Sequence, residues 1–208
     1  MEAIILAGGF GTRLQSVVRD LPKPMAPVNG RPFLTYVLNY LQRHGVSRFI
    51  LSVGYKYEAI QDHLGDAYRS VPIVYAVEKT PLGTGGGINQ SLGMALSSPV
   101  VVVNGDTFFD ADLGALLGAH RNRDADVTIA AKYMDDPGRY GSVAFDETGR
   151  LVTFKEKADK KGGHINGGIY VIRRDLFESF SVATPFSFEI DFLEAHQETI
   201  DIHVVPCA

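Results

Sequence analysis

Apolar and polar residues alternate in blocks through the first half of the chain. Leucine and valine recur at helical spacing between Leu34 and Leu41, which predicts an amphipathic helix that begins near Pro32 and ends at Gly45. Short continuous apolar runs predict buried strands, and further helical patterns separate them. The predicted strands are 3–6, 49–53, 73–77 and 99–103, and the other predicted helices are 57–64 and 88–96. This order predicts an α/β fold with a doubly wound, mostly parallel, Rossmann-like sheet whose ligands bind beyond the carboxyl ends of the strands.

Strand patterns dominate the second half of the chain. Apolar runs predict strands at 127–130, 141–145, 151–154 and 169–172, and a turn at 146–149 joins the second to the third. The lysine- and glycine-rich segment 158–163 predicts a loop with solvated charges. No linker divides the sequence, so we expect one domain over residues 1–208, in which a β-rich half (126–208) closes over an α/β half (1–125).

A glycine-rich stretch directly follows the first predicted strand. Its residues are Leu6, Ala7, Gly8, Gly9, Phe10, Gly11, Thr12, Arg13 and Leu14, and Lys23-Pro24 follows after a short gap. Glycine lets backbone N–H groups approach a ligand, and consecutive N–H groups form an anion-binding concavity. Because Arg13 and Lys23 add positive charge suited to phosphate, the stretch predicts a polyphosphate cradle. The alternative is a tight turn with a solvated arginine and lysine. A Walker loop and a Rossmann fingerprint are excluded, since Gly-Lys-Ser/Thr and the third glycine are absent.

Two acidic residues follow predicted strands and should face this stretch. Asp106, after Asn104 and Gly105, is placed to hold Mg²⁺, which prefers oxygen ligands and substrate phosphates. The alternative is a turn aspartate that caps the next helix. Glu78 precedes a glycine turn at 83–87 that would let a flat base approach. A carboxylate suits guanine, which presents adjacent N–H donors, whereas an amide suits thymine or uracil. The alternative for Glu78 is a surface glutamate.

Composition narrows the class of protein. The chain has 208 residues, of which 45% are hydrophobic and 21% charged, as in ordinary globular domains. A formal net charge of −4 argues against nucleic acid as the main partner. The single cysteine, Cys207, excludes an internal disulfide and fits a reducing compartment. No signal peptide or membrane-spanning run is visible in the sequence, so we expect a cytoplasmic protein without a membrane partner.

The motif Gly9-x-Gly11-Thr12-Arg13, followed by Lys23-Pro24, resembles the signature of the sugar-1-phosphate nucleotidyltransferases. The similarity extends over almost the whole chain. It implies a nucleotidyltransferase fold of the GT-A-like type and a reaction in which a sugar 1-phosphate attacks the α-phosphorus of a nucleoside triphosphate and displaces pyrophosphate. The resemblance also implies that Arg13, Lys23 and Asp106 are catalytic, with Mg²⁺ bound at Asp106.

The resemblance assigns binding residues as well. Guanylyl-transferring members carry Glu-x-x-Pro-Leu-Gly-Thr, as residues 78–84 do, so GTP is the expected nucleotide and UTP or dTTP the alternative. The expected nucleotide-binding residues are Leu6, Ala7, Gly8, Gly9, Gly11, Thr12, Arg13, Lys23, Glu78, Gly83, Thr84, Asn104 and Gly105. The expected sugar-phosphate-binding residues are Tyr140, Gly141, Glu156, Lys157, Asn166 and Gly167. Segments 104–110, 165–170 and 186–189 favour D-glycero-α-D-manno-heptose 1-phosphate as the sugar, with mannose 1-phosphate as the alternative.

The sequence departs from the family pattern near its C-terminus. Members carry a second metal-binding aspartate in a segment like (Phe/Trp)-x-Asp-x-Gly-x-Pro, and Asp201, in Asp-Ile-His, does not match it. We therefore expect either a truncated C-terminus or a second ligand from elsewhere. The departure keeps open a rival interpretation, a nucleotide-sugar sensor or regulatory subunit that binds without turnover. A homo-oligomer is compatible with either interpretation.

Overall fold

A ten-stranded mixed β-sheet forms the centre of the molecule, whose computed structural model describes residues 1–9, 21–137, 141–155 and 162–207. The strands are β1 (Glu2–Leu6), β2 (Pro27–Val28), β3 (Arg31–Pro32), β4 (Arg48–Val53), β5 (Ala67–Tyr68), β6 (Val71–Val77), β7 (Val100–Asn104), β8 (Val127–Met134), β9 (Ser142–Phe145), β10 (Leu151–Lys155), β11 (Gly163–Ile172) and β12 (Ile202–Cys207), of which β2 and β3 pair separately. The helices are α1 (Phe33–Arg43), α2 (Tyr57–Leu64), α3 (Gly83–Leu92) and α4 (Leu113–Arg123), with a 3-10 turn at Lys23–Met25 and a π-helix at Phe188–Glu194.

Strand β1 lies in the middle of the parallel part of the sheet. It pairs in parallel with β4 on one side and with β7 on the other, and β6 continues the parallel part beyond β4. Beyond β7 the sheet turns antiparallel through β11, which also pairs with β8 and β9. The carboxyl ends of β1, β4, β6 and β7 therefore meet at one edge, where parallel α/β sheets bind their ligands.

Alternate residues of β1 point to opposite faces of the sheet, as a strand buried on both sides requires. Ile4 packs in a core with α3 and the aromatic residues of 186–192, whereas Ile5 packs in a second core with α1 and α2. Both residues have no exposed surface. Helices thus cover both faces, and the predicted doubly wound α/β fold is confirmed.

A buried carboxylate fastens the amino-terminal edge of this sheet. Glu2 Oε2 accepts hydrogen bonds from the Leu96 amide (2.6 Å), the Ser97 amide (2.6 Å) and the Ser97 hydroxyl (2.9 Å), while Oε1 pairs with Arg48. Burial would raise the pKa of Glu2, but hydrogen bonds from Arg48, Ser97 and Leu96 more than offset this and hold the pKa below its usual value of 4.5. The charged group therefore links β1, β4 and the segment that leads into β7.

Most predicted elements are confirmed, and α2 has the predicted bounds. The prediction for α3 was wrong by about a turn, because the helix covers Gly83–Leu92 and so includes the glycines assigned to a turn. A Cβ at Gly85 would lie 2.1 Å from the Phe186 ring, so tertiary packing requires glycine inside this helix despite its low helix propensity. The sequence analysis also missed β12 and the π-helix. Over the described ranges, no helix has both the length and the apolar character needed to span a membrane.

Candidate active site

A cleft of about 510 Å³ opens at the carboxyl edge of the parallel strands. This volume lies within the range of small-molecule sites, roughly 300–1,000 Å³. The cleft is lined by Leu6, Gly8, Gly9, Ser52, Gly54, Tyr55, Glu78, Lys79, Thr80, Pro81, Gly83, Thr84, Asn104 and Asp106. The segments that follow β1, β4, β6 and β7 all contribute to it. The expectation that the glycine stretch, Glu78 and Asp106 converge at one edge is therefore met by the geometry.

An ion pair between Lys23 and Asp106 lies at this cleft, with 2.5 Å between Nζ and Oδ2. The two residues are far apart in sequence and reach each other from the 3-10 turn and from the end of β7. Pro24 and Met25 are buried and so anchor the lysine segment. The two side chains remain about one-third exposed (34% and 33%), which leaves the charges accessible to a ligand.

The loop that carries Asp106 is held against β1. The Gly105 amide donates to the Leu6 carbonyl (2.9 Å), and a Cβ at Gly105 would lie 2.8 Å from the same oxygen, so only glycine allows this approach. The cap of the next helix, α4, is Asp112, whose side chain accepts from the amides of residues 114 and 115. The alternative role of Asp106 as that cap is therefore wrong.

Glu78 is held at the cleft by two protein donors. Its Oε1 accepts from the Ser52 hydroxyl (3.0 Å), and its Oε2 accepts from the Leu82 amide (3.2 Å). The carboxylate also fills space that a side chain at Gly8 would need, because a Cβ there would lie 2.7 Å from Oε1. Each carboxylate oxygen keeps a further lone pair, so Glu78 can still accept hydrogen bonds from a ligand in the cleft.

The glycines after Glu78 have a packing role that the sequence analysis did not predict. A Cβ at Gly83 would lie 2.3 Å from the Phe186 carbonyl oxygen, and the one at Gly85 would meet the Phe186 ring. Gly83 and Gly85 therefore admit the 186–189 segment, and Gly83 also lines the cleft. The approach of a flat base to this segment stays a prediction. Thr84 lines the cleft, but its hydroxyl donates to Glu189 Oε2 (2.8 Å) and accepts from the Phe188 amide (2.8 Å).

The predicted sugar-phosphate residues of β11 are also fixed by the protein itself. The backbone N–H of Asn166 donates to the Gly141 carbonyl (2.8 Å), so two of the predicted residues lie side by side. A Cβ at Gly167 would lie 2.4 Å from the Phe109 ring. The absence of a side chain at Gly167 thus serves packing against Phe109. That it also lets the backbone face a sugar ring stays a prediction.

Part of the predicted site lies outside the described residues. This applies to Gly11, Thr12 and Arg13 of the glycine stretch and to Tyr140, Glu156 and Lys157 of the sugar-phosphate set. Of the stretch itself the structure describes residues 6–9, where the Ala7 amide donates to the Ser52 carbonyl (2.8 Å) and a Cβ at Gly9 would meet nothing within 4 Å.

Sequence reasoning missed six residues of the lining. They lie in or after two strands that the sequence predicts, and they are Ser52, Gly54, Tyr55, Lys79, Thr80 and Pro81. Apart from Ser52, each comes directly after β4 or β6, so the rule that located Glu78 and Asp106 would have found them too.

Asp106 suits one kind of cation site. Within the described part of the chain no group of three or more His, Cys, Asp or Glu side chains could hold a metal ion. A cage of three or more such side chains is therefore absent from that part. Mg²⁺, however, is commonly bound by one or two carboxylates together with substrate phosphates, and the accessible Asp106 carboxylate fits that donor set.

Comparisons with known proteins give similarities along the whole chain. A family model described as nucleotidyl transferase matches residues 2–201. The D-glycero-alpha-D-manno-heptose 1-phosphate guanylyltransferase of Campylobacter jejuni is 44% identical over 200 residues, which cover 96% of this chain and 88% of that protein. The enzyme of the same name from Aneurinibacillus thermoaerophilus is 46% identical over 93% of this chain and 84% of its own. The crystal structure of HddC from Yersinia pseudotuberculosis complexed with GMP-PN has a TM-score of 0.86 and 36% identity, covering 99% of this chain and 89% of that one.

Proposed function

The chain belongs to the nucleotidyl transferase family, and on that premise we propose that it joins GTP to a sugar 1-phosphate, forming a nucleotide-sugar and pyrophosphate. The observation that carries the proposal is the accessible Lys23–Asp106 ion pair at the cleft of about 510 Å³, which Asp106 lines together with Gly8 and Gly9 of the glycine stretch. A cation and a carboxylate that can hold a metal ion are the groups that a polyphosphate requires.

The reaction needs little covalent chemistry from the protein. A phosphate oxygen of the sugar 1-phosphate attacks the α-phosphorus, the bond from that phosphorus to the bridging oxygen breaks, and pyrophosphate leaves with the electron pair. Because the nucleophile is already an anion near neutral pH, no general base is required. Catalysis is then positioning and charge neutralisation.

The residues have separate tasks in this scheme. Lys23 neutralises charge on the α-phosphate, and the backbone of the glycine stretch binds the leaving phosphates, together with Arg13. Lys157 holds the attacking sugar phosphate. The roles of Arg13 and Lys157 rest on the family resemblance, since both lie outside the described residues.

Asp106 would hold a divalent cation, which we propose to be Mg²⁺, together with substrate phosphates. When bound, the cation supplies positive charge to the phosphate oxygens. Lys23 Nζ lies 2.5 Å from Asp106 Oδ2, so the side chain that would hold the cation and the one that would neutralise the α-phosphate are adjacent.

Glu78 would recognise the base as guanine. Its carboxylate lines the cleft, has lone pairs left for guanine N1–H and N2–H₂, and is fixed in place by Ser52 and Leu82. The two relatives compared above are named for guanylyl transfer, and the HddC crystal holds GMP-PN. These similarities support GTP over UTP and dTTP.

The identity of the sugar 1-phosphate is proposed from the names of the two relatives. Two of them are named for D-glycero-α-D-manno-heptose 1-phosphate, which makes it the first candidate, and mannose 1-phosphate is the second. Gly141 and Asn166 would belong to the sugar-phosphate site in the half 126–208, with the nucleotide bound by the half 1–125. A cytoplasmic location and a homo-oligomer stay predictions.

The test is release of pyrophosphate by the purified chain over a panel of nucleotides and sugar 1-phosphates. The panel pairs GTP, ATP, CTP, UTP and dTTP with manno-heptose, mannose and glucose 1-phosphates, with and without Mg²⁺. We expect the highest kcat/KM for GTP with the heptose phosphate, and no turnover in excess chelator. Binding of GTP without pyrophosphate release from any pair would instead support the sensor interpretation.

A further inference from the structure

A continuous chain of hydrogen bonds connects the cleft to the predicted sugar-phosphate segment. It begins at Thr84, at the start of α3, whose hydroxyl donates to Glu189 Oε2 (2.8 Å). On the other side of the same carboxylate, the Tyr170 hydroxyl donates to Oε1 (3.0 Å). Tyr170 in turn accepts from Asn166 Nδ2 (2.6 Å). Glu189, on the π-helix, is therefore the junction between one residue that lines the cleft and one assigned to the sugar phosphate.

The chemistry of the carboxylate fixes the direction of every bond in this chain. An ionised carboxylate only accepts hydrogen bonds, so the single hydroxyl hydrogen of Tyr170 is committed to Glu189. Tyr170 can then only accept from Asn166, which requires the Nδ2 side of that amide to face Tyr170. The Asn166 Oδ1 atom must face the other way, and there it accepts from the Gly168 amide (3.0 Å).

Tyr170 and the Gly168 N–H therefore each require the same orientation of the Asn166 side-chain amide. One of its Nδ2 hydrogens goes to Tyr170, and among the described residues no hydrogen bond engages the second, which can donate to an anion such as a phosphate. If the amide were turned over, Oδ1 would face the Tyr170 oxygen and Nδ2 would face a backbone donor. Two acceptors and two donors would then oppose each other in a partly buried site, at the cost of both hydrogen bonds.

The junction is held firmly in place. Tyr170 has no exposed surface and its ring meets Phe188 edge-on, with 5.1 Å between centroids. Thr84 also accepts from the Phe188 amide (2.8 Å), which ties the π-helix segment to α3. Glu189 is therefore connected to α3 by protein hydrogen bonds and not through solvent.

We propose that Glu189 is a positioning residue that orients Asn166, through Tyr170, for the sugar 1-phosphate. The inference rests on the proposed function, because it takes Asn166 as part of the sugar-phosphate site. Glu189 itself needs no contact with either substrate. Through Thr84 it also connects the sugar-phosphate segment to the helix that borders the nucleotide cleft.

The test compares Glu189→Gln with a matched control on the same π-helix. Gln keeps the size of the side chain. Because the Thr84 hydroxyl and the Ser187 hydroxyl (3.2 Å) both donate to Oε2, whereas Tyr170 donates to Oε1, the Gln oxygen should stay toward the first two and its NH₂ group should face the Tyr170 hydroxyl. Asp191→Asn makes the same change nearby: its carboxylate accepts from the Ser187 amide (2.7 Å), a contact that the Asn oxygen can keep. Neither substitution should unfold the protein, and thermal unfolding of both variants checks this.

Steady-state kinetics at saturating GTP give the first readout. We expect Glu189→Gln to raise KM for the sugar 1-phosphate about tenfold or more, with kcat changed by less than about threefold, since a ground-state contact is lost. Asp191→Asn should leave KM within about twofold of wild type, as surface changes away from such contacts do. A KM equal to that of Asp191→Asn overturns the inference.

A double-mutant cycle tests whether Glu189 acts through Tyr170. Tyr170→Phe should raise KM as much as Glu189→Gln does, and the double variant should lie within about twofold of either single variant, because both remove one linkage. Additive losses would mean that Glu189 contacts the substrate by itself and would overturn the positioning role.

The NMR signals of the Asn166 side-chain NH₂ group, assigned by their loss in Asn166→Asp, give a readout that needs no turnover. Their chemical shifts should change in Glu189→Gln and Tyr170→Phe and stay the same in Asp191→Asn. Unchanged chemical shifts in the first two variants overturn the inference. Should the wild-type chain release no pyrophosphate from any substrate pair, the proposed function fails and the inference falls with it. Should the wild type turn over while Glu189→Gln behaves like the control, only the inference fails.

Discussion

Replacing Glu78 by Gln isolates the contribution of one negative charge to base recognition. In the structure the two carboxylate oxygens accept from Ser52 Oγ (3.0 Å) and from the Leu82 amide (3.2 Å). Gln can keep both contacts, because its oxygen accepts from the Leu82 amide and its NH₂ group can donate to the Ser52 hydroxyl, which accepts as readily as it donates. The side chain should therefore stay in place, and the loss should fall on the ligand.

The magnitude follows from the donors that guanine presents. N1–H and N2–H₂ need two acceptors, and the Glu78 carboxylate has a lone pair left on each oxygen. Gln offers one acceptor oxygen and sets its NH₂ group against a guanine donor, which costs about 1–3 kcal/mol for a donor left unpaired. That corresponds to a fall of roughly 5- to 150-fold in kcat/KM for GTP. Thymine and uracil should lose less, since an amide can accept from their ring N–H and donate to a carbonyl.

The assay is the ratio of kcat/KM for GTP to that for dTTP, measured for wild type and variant at one Mg²⁺ concentration. Ser52→Ala is the matched control, because it removes a neighbour of Glu78 while keeping the carboxylate, and it should change the ratio by less than about fivefold for the loss of one neutral hydrogen bond. An unchanged GTP/dTTP ratio in Glu78→Gln would refute the assignment of Glu78 as the residue that recognises guanine.

Three substitutions test other parts of the structure. Asp106→Asn should lower kcat/KM by about 100-fold or more and remove its dependence on Mg²⁺ concentration, and an unaltered Mg²⁺ titration would contradict the cation role. Gly85→Ala should cost about 1–3 kcal/mol in urea unfolding, because its Cβ would lie 2.1 Å from a buried ring, whereas Gly9→Ala, with nothing within 4 Å, should not. Glu2→Gln should cost about 3 kcal/mol at pH 7 by removing the carboxylate that compensates the charge of Arg48. Because the pKa of Glu2 is lowered, that difference in the free energy of unfolding should shrink as the pH falls below 4.5, and a constant difference would exclude the linkage.

The sequence predicts the cleft through the ends of its strands. Apolar runs locate β1, β4, β6 and β7, and a parallel sheet brings their carboxyl ends to one edge, so Glu78 and Asp106 had to meet there. The same rule includes Tyr55, which the sequence analysis passed over because its chemistry is less distinctive than a charge. Lys23 was expected near Asp106 on the basis of phosphate chemistry, and the ion pair at 2.5 Å places the two side chains together.

Contacts between distant segments explain what the sequence could not predict. A run of glycines indicates a turn or a ligand contact when only its neighbours in sequence are considered. The reason for Gly85 is Phe186, and the partner of Thr84 is Glu189, 105 residues further along the chain. The π-helix is missed for the same reason, since the Thr84 and Tyr170 hydroxyls that anchor Glu189 come from α3 and β11. If Glu189→Gln raises KM for the sugar phosphate while Asp191→Asn does not, these distant contacts, and not only the strand ends, form part of the machinery that binds the substrates.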